Sequence, residues 1–283
     1  MAKRGRRIKS LDPLMAITPF VMPNRNGASN MFKATIDITE AEQYLRQERI
    51  KGRKNMNMMH VFMASYVRVA SQMPGINRFI RGQRIFAGKD IDIALTIKKE
   101  MKLDAQETVV QIVAEPMDTL GDVYGKVNEL VEINKDAGDK NSTDRLARLL
   151  MRLPSLLLKF VVWFLKSLDY MGLMPRAITK ASPFHGSMFI TNVGSLGIDA
   201  IFHHLYDFGN IPVFISMGKR KNHIAVDEEG KVTKRKVIDI TIVTDERICD
   251  GHYYAEAFKR IKRLIANPWL LETPPETVVE DIK

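Results

Sequence analysis

Thr244-Asp245-Glu246-Arg247-Ile248-Cys249-Asp250-Gly251 joins two segments of opposite periodicity, and the fold turns on how this junction is read. Residues 235–244 before it are rich in Ile and Val and predict a strand. After it, Phe258, Ile261 and Leu264 fall on one face of a helix that starts after Gly251 and ends near Asn267-Pro268. Elsewhere in the chain strands are predicted at 187–192 and 212–218, and an alternating run at 33–38 leads into Thr39-Glu40-Ala41-Glu42. The Thr and Glu three apart predict a capping box opening a helix to about residue 51. Met58, Val61, Phe62, Ser65 and Val69 predict a core helix over 57–72, which Pro74-Gly75 stops. Strands at 91–97 and 108–114 form a hairpin or sheet pair, and Asp118 is expected to cap a helix running to about Lys135. The strict βαβ alternation of a doubly wound fold is missing, so the expectation is α/β with a mostly antiparallel or mixed sheet.

Composition narrows the function classes. Apolar residues make up 45% of the 283-residue chain and charged residues 27%, which suits one large globular domain. Cys249 is the only cysteine, so neither an intrachain disulfide nor a cysteine-rich zinc cage can form, and no metal site is expected. Met1–Lys9 is basic and lacks an apolar signal core, which predicts a cytoplasmic protein. The net charge of +10 is crowded into Lys3, Arg4, Arg6, Arg7 and Lys9, and again into Lys231, Lys234, Arg235 and Lys236. No aromatic-interleaved basic motif or zinc-finger spacing accompanies these charges, so nucleic acid is not expected as a partner. HExxH, a Gly-rich phosphate loop and GxSxG are all missing, which removes support for metalloprotease, nucleotide-hydrolase and serine-hydrolase readings.

Residues 143–178 stand apart. Leu146, Leu149, Leu150, Leu153, Leu156–Leu158, Phe160–Leu165 and Leu168 predict an amphipathic helical hairpin, kinked at Pro154. Arg145, Arg148, Arg152, Lys159 and Lys166 would align as one basic stripe. No uninterrupted apolar stretch is long enough to span a bilayer. Two readings follow: a core or subunit-contact helix, or a membrane-surface contact through 143–178.

The junction reads ExxxDG. Together with Phe189-Ile190-Thr191-Asn192-Val193-Gly194, Pro212–Gly218, Pro74-Gly75-Ile76-Asn77 and Asn267-Pro268-Trp269-Leu270-Leu271, it resembles the catalytic domain of the acyltransferase subunit of 2-oxo acid dehydrogenase complexes. It resembles chloramphenicol acetyltransferase more distantly. The resemblance covers about residues 30–135 and 183–275, and Glu246 stands where the family signature HxxxDG has histidine. It implies a chloramphenicol-acetyltransferase-like two-layer sandwich with a mixed sheet, assembled as a homotrimer. The implied division is a basic N-terminal segment (1–29), a catalytic domain (30–275) with a helical hairpin insertion at 140–180, and a C-terminal tail (276–283). With about thirty residues ahead of the domain, no lipoyl-bearing or subunit-binding segment is expected.

The implied reaction passes an acyl group from acyl-CoA to a small-molecule acceptor, with CoA or acyl-CoA as substrate and no metal. In the family the histidine is the general base, and a Ser-turn hydroxyl from the neighbouring subunit donates to the oxyanion. Thr191 carries the hydroxyl here, and Glu246 stands for the base. A carboxylate near its usual pKa is too weak a base for a thiol unless burial beside Ile248 and Cys249 raises it. The competing expectation is that Glu246 pairs with Arg247 or another cation and the chain is a catalytically degenerate trimeric ligand-binding or membrane-surface scaffold. Asp250 is expected to fix the turn through an arginine, with Arg25 as candidate, and Gly251 to let the helix start close to the sheet. Asn192, His203, His204 and His252 are the candidate substrate-binding residues, and His60 is expected to be structural.

Overall fold

The computed structural model describes residues 5–98, 107–136, 149–226 and 230–283. Its main sheet has six strands: β2 (Ser29–Asp37), β5 (Ile91–Lys98), β6 (Glu107–Ala114), β7 (Met188–Asn192), β8 (Val213–Val226) and β9 (Val232–Asp245). Their order is β2-β9-β8-β7-β5-β6. β7 runs parallel to both β5 and β8, and the other neighbours are antiparallel, so the sheet is mixed as expected. A small second sheet has the order β1 (Gly5–Arg7), β4 (Arg84–Gly88), β3 (Arg78–Arg81). Gly82 and Gln83, both at positive φ, make the two-residue turn between β3 and β4.

Period-two alternation sorts the sheet's side chains into two layers. Ile93, Leu95, Met188, Ile190, Val213, Ile215, Ile240 and Ile242 point into one cluster with α2 (Thr39–Ile50), α3 (Met58–Gln72), α4 (Leu120–Asp136) and α7, which spans Gly251–Ala266. Ala94, Phe189, Phe214 and Val243 point the other way, under Leu205 and Ile211 of the 198–211 loop. α3 is the helix at the centre: every residue from Val61 to Ser71 is buried, as its apolar spacing predicts.

Two of the predicted caps are built differently. Ile38 occupies the N-cap of α2 without a side-chain bond, and Thr39 instead gives both its N–H and its hydroxyl to Asp37. Glu42, the other half of the expected box, pairs with Arg220. Ahead of α4 the reciprocal pair is Thr119 and Asp122. The Asp122 carboxylate accepts from Thr119 N, the Thr119 hydroxyl accepts from Asp122 N, and Asp118 closes the preceding turn on Glu115 N. A carboxylate four residues further on, inside the helix, offers the chain a better partner than the single cap expected at Asp118.

Both chain ends pack onto the body. Asp281 pairs with Arg78, Val279 N donates to Ser71 O, and Lys283 O accepts from Ser10 N. α5 (Ser155–Met171) and α6 (Arg176–Ala181) follow Pro154, and α5 has no buried residue, so its apolar face is not part of this chain's core. The first arm of the predicted hairpin, with Arg145 and Arg148, lies outside the described residues. Among the described residues no helix is long and apolar enough to cross a membrane.

α3 opens on a capping pair whose second member is histidine. The Asn57 side chain accepts from Met59 N, and His60 Nδ1 accepts from Asn57 N at 3.1 Å. Burial pushes the His60 pKa down from the usual 6.5 to about 4, so folding requires the neutral ring. A folded pKa below the unfolded one means that stability is full above pH 6.5 and lost as pH falls toward 4. The loss is at most on the order of 3 kcal/mol, and His60→Gln should flatten that limb of the curve in chemical denaturation.

Candidate active site

β7, β8 and β9 place Thr191, Ser216 and Thr241 in one row across the sheet, on the face away from the helices. Two of the three hydroxyls are used internally. Ser216 Oγ accepts from Ile201 N at 3.3 Å and Thr241 Oγ1 donates to Ile201 O, which holds the 198–204 loop against the sheet. The half-buried Thr191 hydroxyl has no such partner among the described residues, and it lines a cavity of about 850 Å³. The turn after it is set by contact between two glycines: a Cβ on Gly194 would lie 2.2 Å from Gly218 O. Asn192 lines the same cavity, and its carbonyl accepts from Ser195 Oγ at 2.7 Å.

His203 forms part of the cavity wall. Its ring stacks on Phe214 at 4.0 Å between centroids, and Phe214 stacks on Phe189 at 4.8 Å. His203 Nδ1 lies 2.8 Å from the carbonyl oxygen of His204. A carbonyl can only accept, so Nδ1 carries the proton and the neutral ring leaves Nε2 as a lone pair. Burial, and then the neighbouring His204, lower the pKa of His203, with the His204 carbonyl bond opposing. The exposed His204 ring stacks on His203 at 4.6 Å, and His252 is exposed on the first turn of α7, outside this cavity.

Glu246 lies elsewhere. β9 runs antiparallel to β8, so the five residues from Thr241 to Glu246 lead away from the Thr191 row toward Pro212. At ~3.3 Å per residue and ~4.8 Å between strands, Thr191 and Glu246 of one protomer are about 15–20 Å apart. Glu246 is exposed while Ile248 and Cys249 are buried, so the burial expected of it beside them is not found within the protomer. Its backbone N donates to Ala28 O. Nor does Arg247 pair with it: the Arg247 guanidinium binds Asp245 at 2.8 Å through both Nε and Nη2 and donates to Met22 O and Pro23 O.

The arginine expected to steady Asp250 is also taken by Asp245. Arg25 Nε lies 3.4 Å from Asp245 Oδ2, and its Nη atoms donate to Tyr206 O and Gly209 O. Asp250 instead caps α7 by accepting from Tyr253 N at 2.8 Å, which places it in the scaffold. A Cβ on Gly251 would meet nothing within 4 Å, so this glycine is not needed for close helix approach. Burial pushes the Cys249 thiol up to about 12, which removes it as a nucleophile. Sequence reading missed Ser216, Thr241 and Tyr206. Strand alternation placed Ser216 and Thr241 on that face, but their neighbours depend on strand pairing, and Tyr206 reaches the cavity from the 198–211 loop; one sequence reveals neither.

A mixed sheet backed by helices on one face, with a hydroxyl-bearing turn and an aromatic-walled cavity on the other, is the chloramphenicol-acetyltransferase-like two-layer sandwich. Residues 176–273 match the family model of the 2-oxoacid dehydrogenases acyltransferase catalytic domain, so the acyltransferase resemblance holds over the region that carries Thr191 and Glu246. A probable dihydrolipoamide acetyltransferase from Listeria monocytogenes has the same fold, with a TM-score of 0.59 and 11% identity over 92% of this chain and 94% of that one. The cubic core of a pyruvate dehydrogenase multienzyme complex gives 0.59 and 13% over 93% of both chains. A chloramphenicol acetyltransferase gives 0.51 and 13% over 87% and 92%. No curated protein matches the chain significantly by sequence.

Asp245 is 1% exposed and faces two guanidinium groups. Asp245→Asn should destabilise the fold by ~3–5 kcal/mol, read as the urea midpoint at constant slope, because both buried cations lose their counter-charge.

Proposed function

We propose that the protein transfers an acyl group from acyl-CoA to a small acceptor, in a cavity that one protomer walls with Thr191 and His203 and a second copy closes with Glu246. The observation that carries this reading is the Thr191 hydroxyl, which lines the cavity without a hydrogen-bond partner among the described residues, in a row whose other two hydroxyls bind Ile201. The acceptor thiol or hydroxyl gives its proton to a base and attacks the thioester carbonyl. The resulting oxyanion accepts from Thr191, and collapse expels the CoA thiolate, which takes the proton back from the base. Asn192, His203 and His204 hold the acceptor side, and His252 stands near the edge that carries Glu246.

The separation of Thr191 from Glu246 along the sheet supports a homotrimer, because the two can meet one thioester only across a boundary between copies. Residues 30–275 are the catalytic unit, with 1–29 and 276–283 as flanking segments and 140–180 as an insertion. The reaction is placed in the cytoplasm, where the lone thiol Cys249 stays reduced. Light scattering should give three times 32.3 kDa, and a monomer at micromolar concentration would remove the shared site.

Two groups compete for the base. A carboxylate is in general a weak base toward a thiol, so Glu246, which is exposed in the protomer, acts only if the second copy covers and desolvates it. His203 lines the cavity as a neutral ring with Nδ1 as donor, so its Nε2 is available as an acceptor, with burial lowering its basicity. Free-thiol release from acetyl-CoA separates them. Thr191→Val should lower the rate about 100-fold or more. If Glu246 is the base, Glu246→Gln falls ~100- to 10,000-fold; if His203 is, His203→Gln falls by that factor and Glu246→Gln stays active. A native protein with no turnover toward any thiol or hydroxyl acceptor would favour the ligand-binding or membrane-surface scaffold. Glu246→His would then be the change expected to restore activity.

A further inference from the structure

α5 turns Val161, Leu165 and Leu168 toward the body and leaves Leu156, Phe160, Trp163, Phe164 and Met171 facing out. Leu156 is 84% exposed and Trp163 61%. Phe160 packs against Trp163 at 5.8 Å and Phe164 at 6.4 Å, so the rings form one apolar ridge. Lys159 and Lys166, seven residues apart and both exposed, run along one edge of that ridge, and Arg152 is exposed in the turn just before Pro154, where the helix begins. The one carboxylate of α5, Asp169, lies 3.2 Å from His185 Nε2 at the inner side.

A second apolar helix meets the same place. α1 (Pro13–Val21) exposes Leu14, Ile17, Phe20 and Val21, and its outward face beyond the Asp12 cap carries no acid. The β3–β4 turn joins the two helices. Gln83 accepts from Tyr170 Oη at the end of α5 and donates to Pro19 O in α1, and the exposed Arg84 guanidinium lies 4.8 Å over the Phe20 ring.

We infer that α1 and α5 together seat the protein on an anionic membrane surface, with the ridge in the headgroup layer and Arg84, Arg152, Lys159 and Lys166 on lipid phosphates and carboxylates. Leu, Phe and Trp on one face with cations at its edge is the pattern of a helix lying in the interface, and α5 is too short and too often charged to span. A second copy of this chain, with a net charge of +10, offers the cationic row little negative charge, whereas a bilayer supplies apolar depth and negative charge at once. The inference stands whether or not the cavity turns over acyl-CoA.

The test uses the full chain carrying Trp269→Phe, so that Trp163 is the remaining tryptophan. Phosphatidylcholine vesicles with and without phosphatidylserine are floated at low and high salt. The protein should float with the anionic vesicles at low salt, be released at high salt, and shift its Trp163 emission to the blue on binding. Lys159→Gln with Lys166→Gln should weaken partition about 30-fold, at ~1 kcal/mol per cation near the surface. Phe160→Ser should abolish it, and the thermal midpoint should hold for all variants because the changed side chains are exposed. Absence of flotation, or equal flotation with neutral vesicles at both salts, would overturn the inference. So would blue-shifted Trp163 emission without vesicles that reddens on dilution, since it would show a subunit covering the ridge.

Discussion

The end of β9 depends on one carboxylate. Asp245 accepts from Arg247 in a fork of two bonds, lies 3.4 Å from Arg25, gives its own N–H to Pro212 O, and offers its carbonyl to Tyr254 Oη. The two arginines carry the constraint outward, Arg247 to Met22 and Pro23 and Arg25 to Tyr206 and Gly209. The N-terminal approach to β2, the loop over the cavity and the start of α7 are therefore positioned by the same charge. Two cations on one anion leave a buried excess of positive charge, which the four carbonyls solvate. Glu246 is held outside this knot, its backbone fixed to Ala28 and its side chain exposed, with no partner among the described residues.

The fold was legible because its signals are local. Val61 to Val69 at helical spacing and Ile91 to Ile97 in alternation need no partner to be read, and both occur where expected. The site was legible only in part. Thr191 and Asn192 are tied to the end of a strand, so the motif locates them, and His203 follows from the loop between two strands. Which hydroxyls remain unpaired depends on β7 lying beside β8 and β8 beside β9, a long-range register that decides between a donor and a structural bond.

The expectations that failed share one cause. Glu246 with Arg247, Arg25 with Asp250, and Asp118 as a cap each matched a charge to a neighbour in the sequence, while folding offered a competitor a residue or a few away. Asp245 took both arginines because it is buried and gains more from them than an exposed carboxylate does. Thr119 and Asp122 took the α4 start because two reciprocal bonds satisfy two orphan groups where Asp118 would satisfy one. Pairwise chemistry on a sequence finds the participants and misassigns the pairs.

Arg78 joins Asp281 to the carbonyl of Ile248, so the C-terminal residues lie across the back of the junction that holds Cys249. The chain's single thiol therefore sits behind a latch made by its C-terminal residues. A thiol reagent reaches it only when that latch lifts, and the rate at which it does so measures the local opening equilibrium of the turn, separate from the unfolding of the whole sheet.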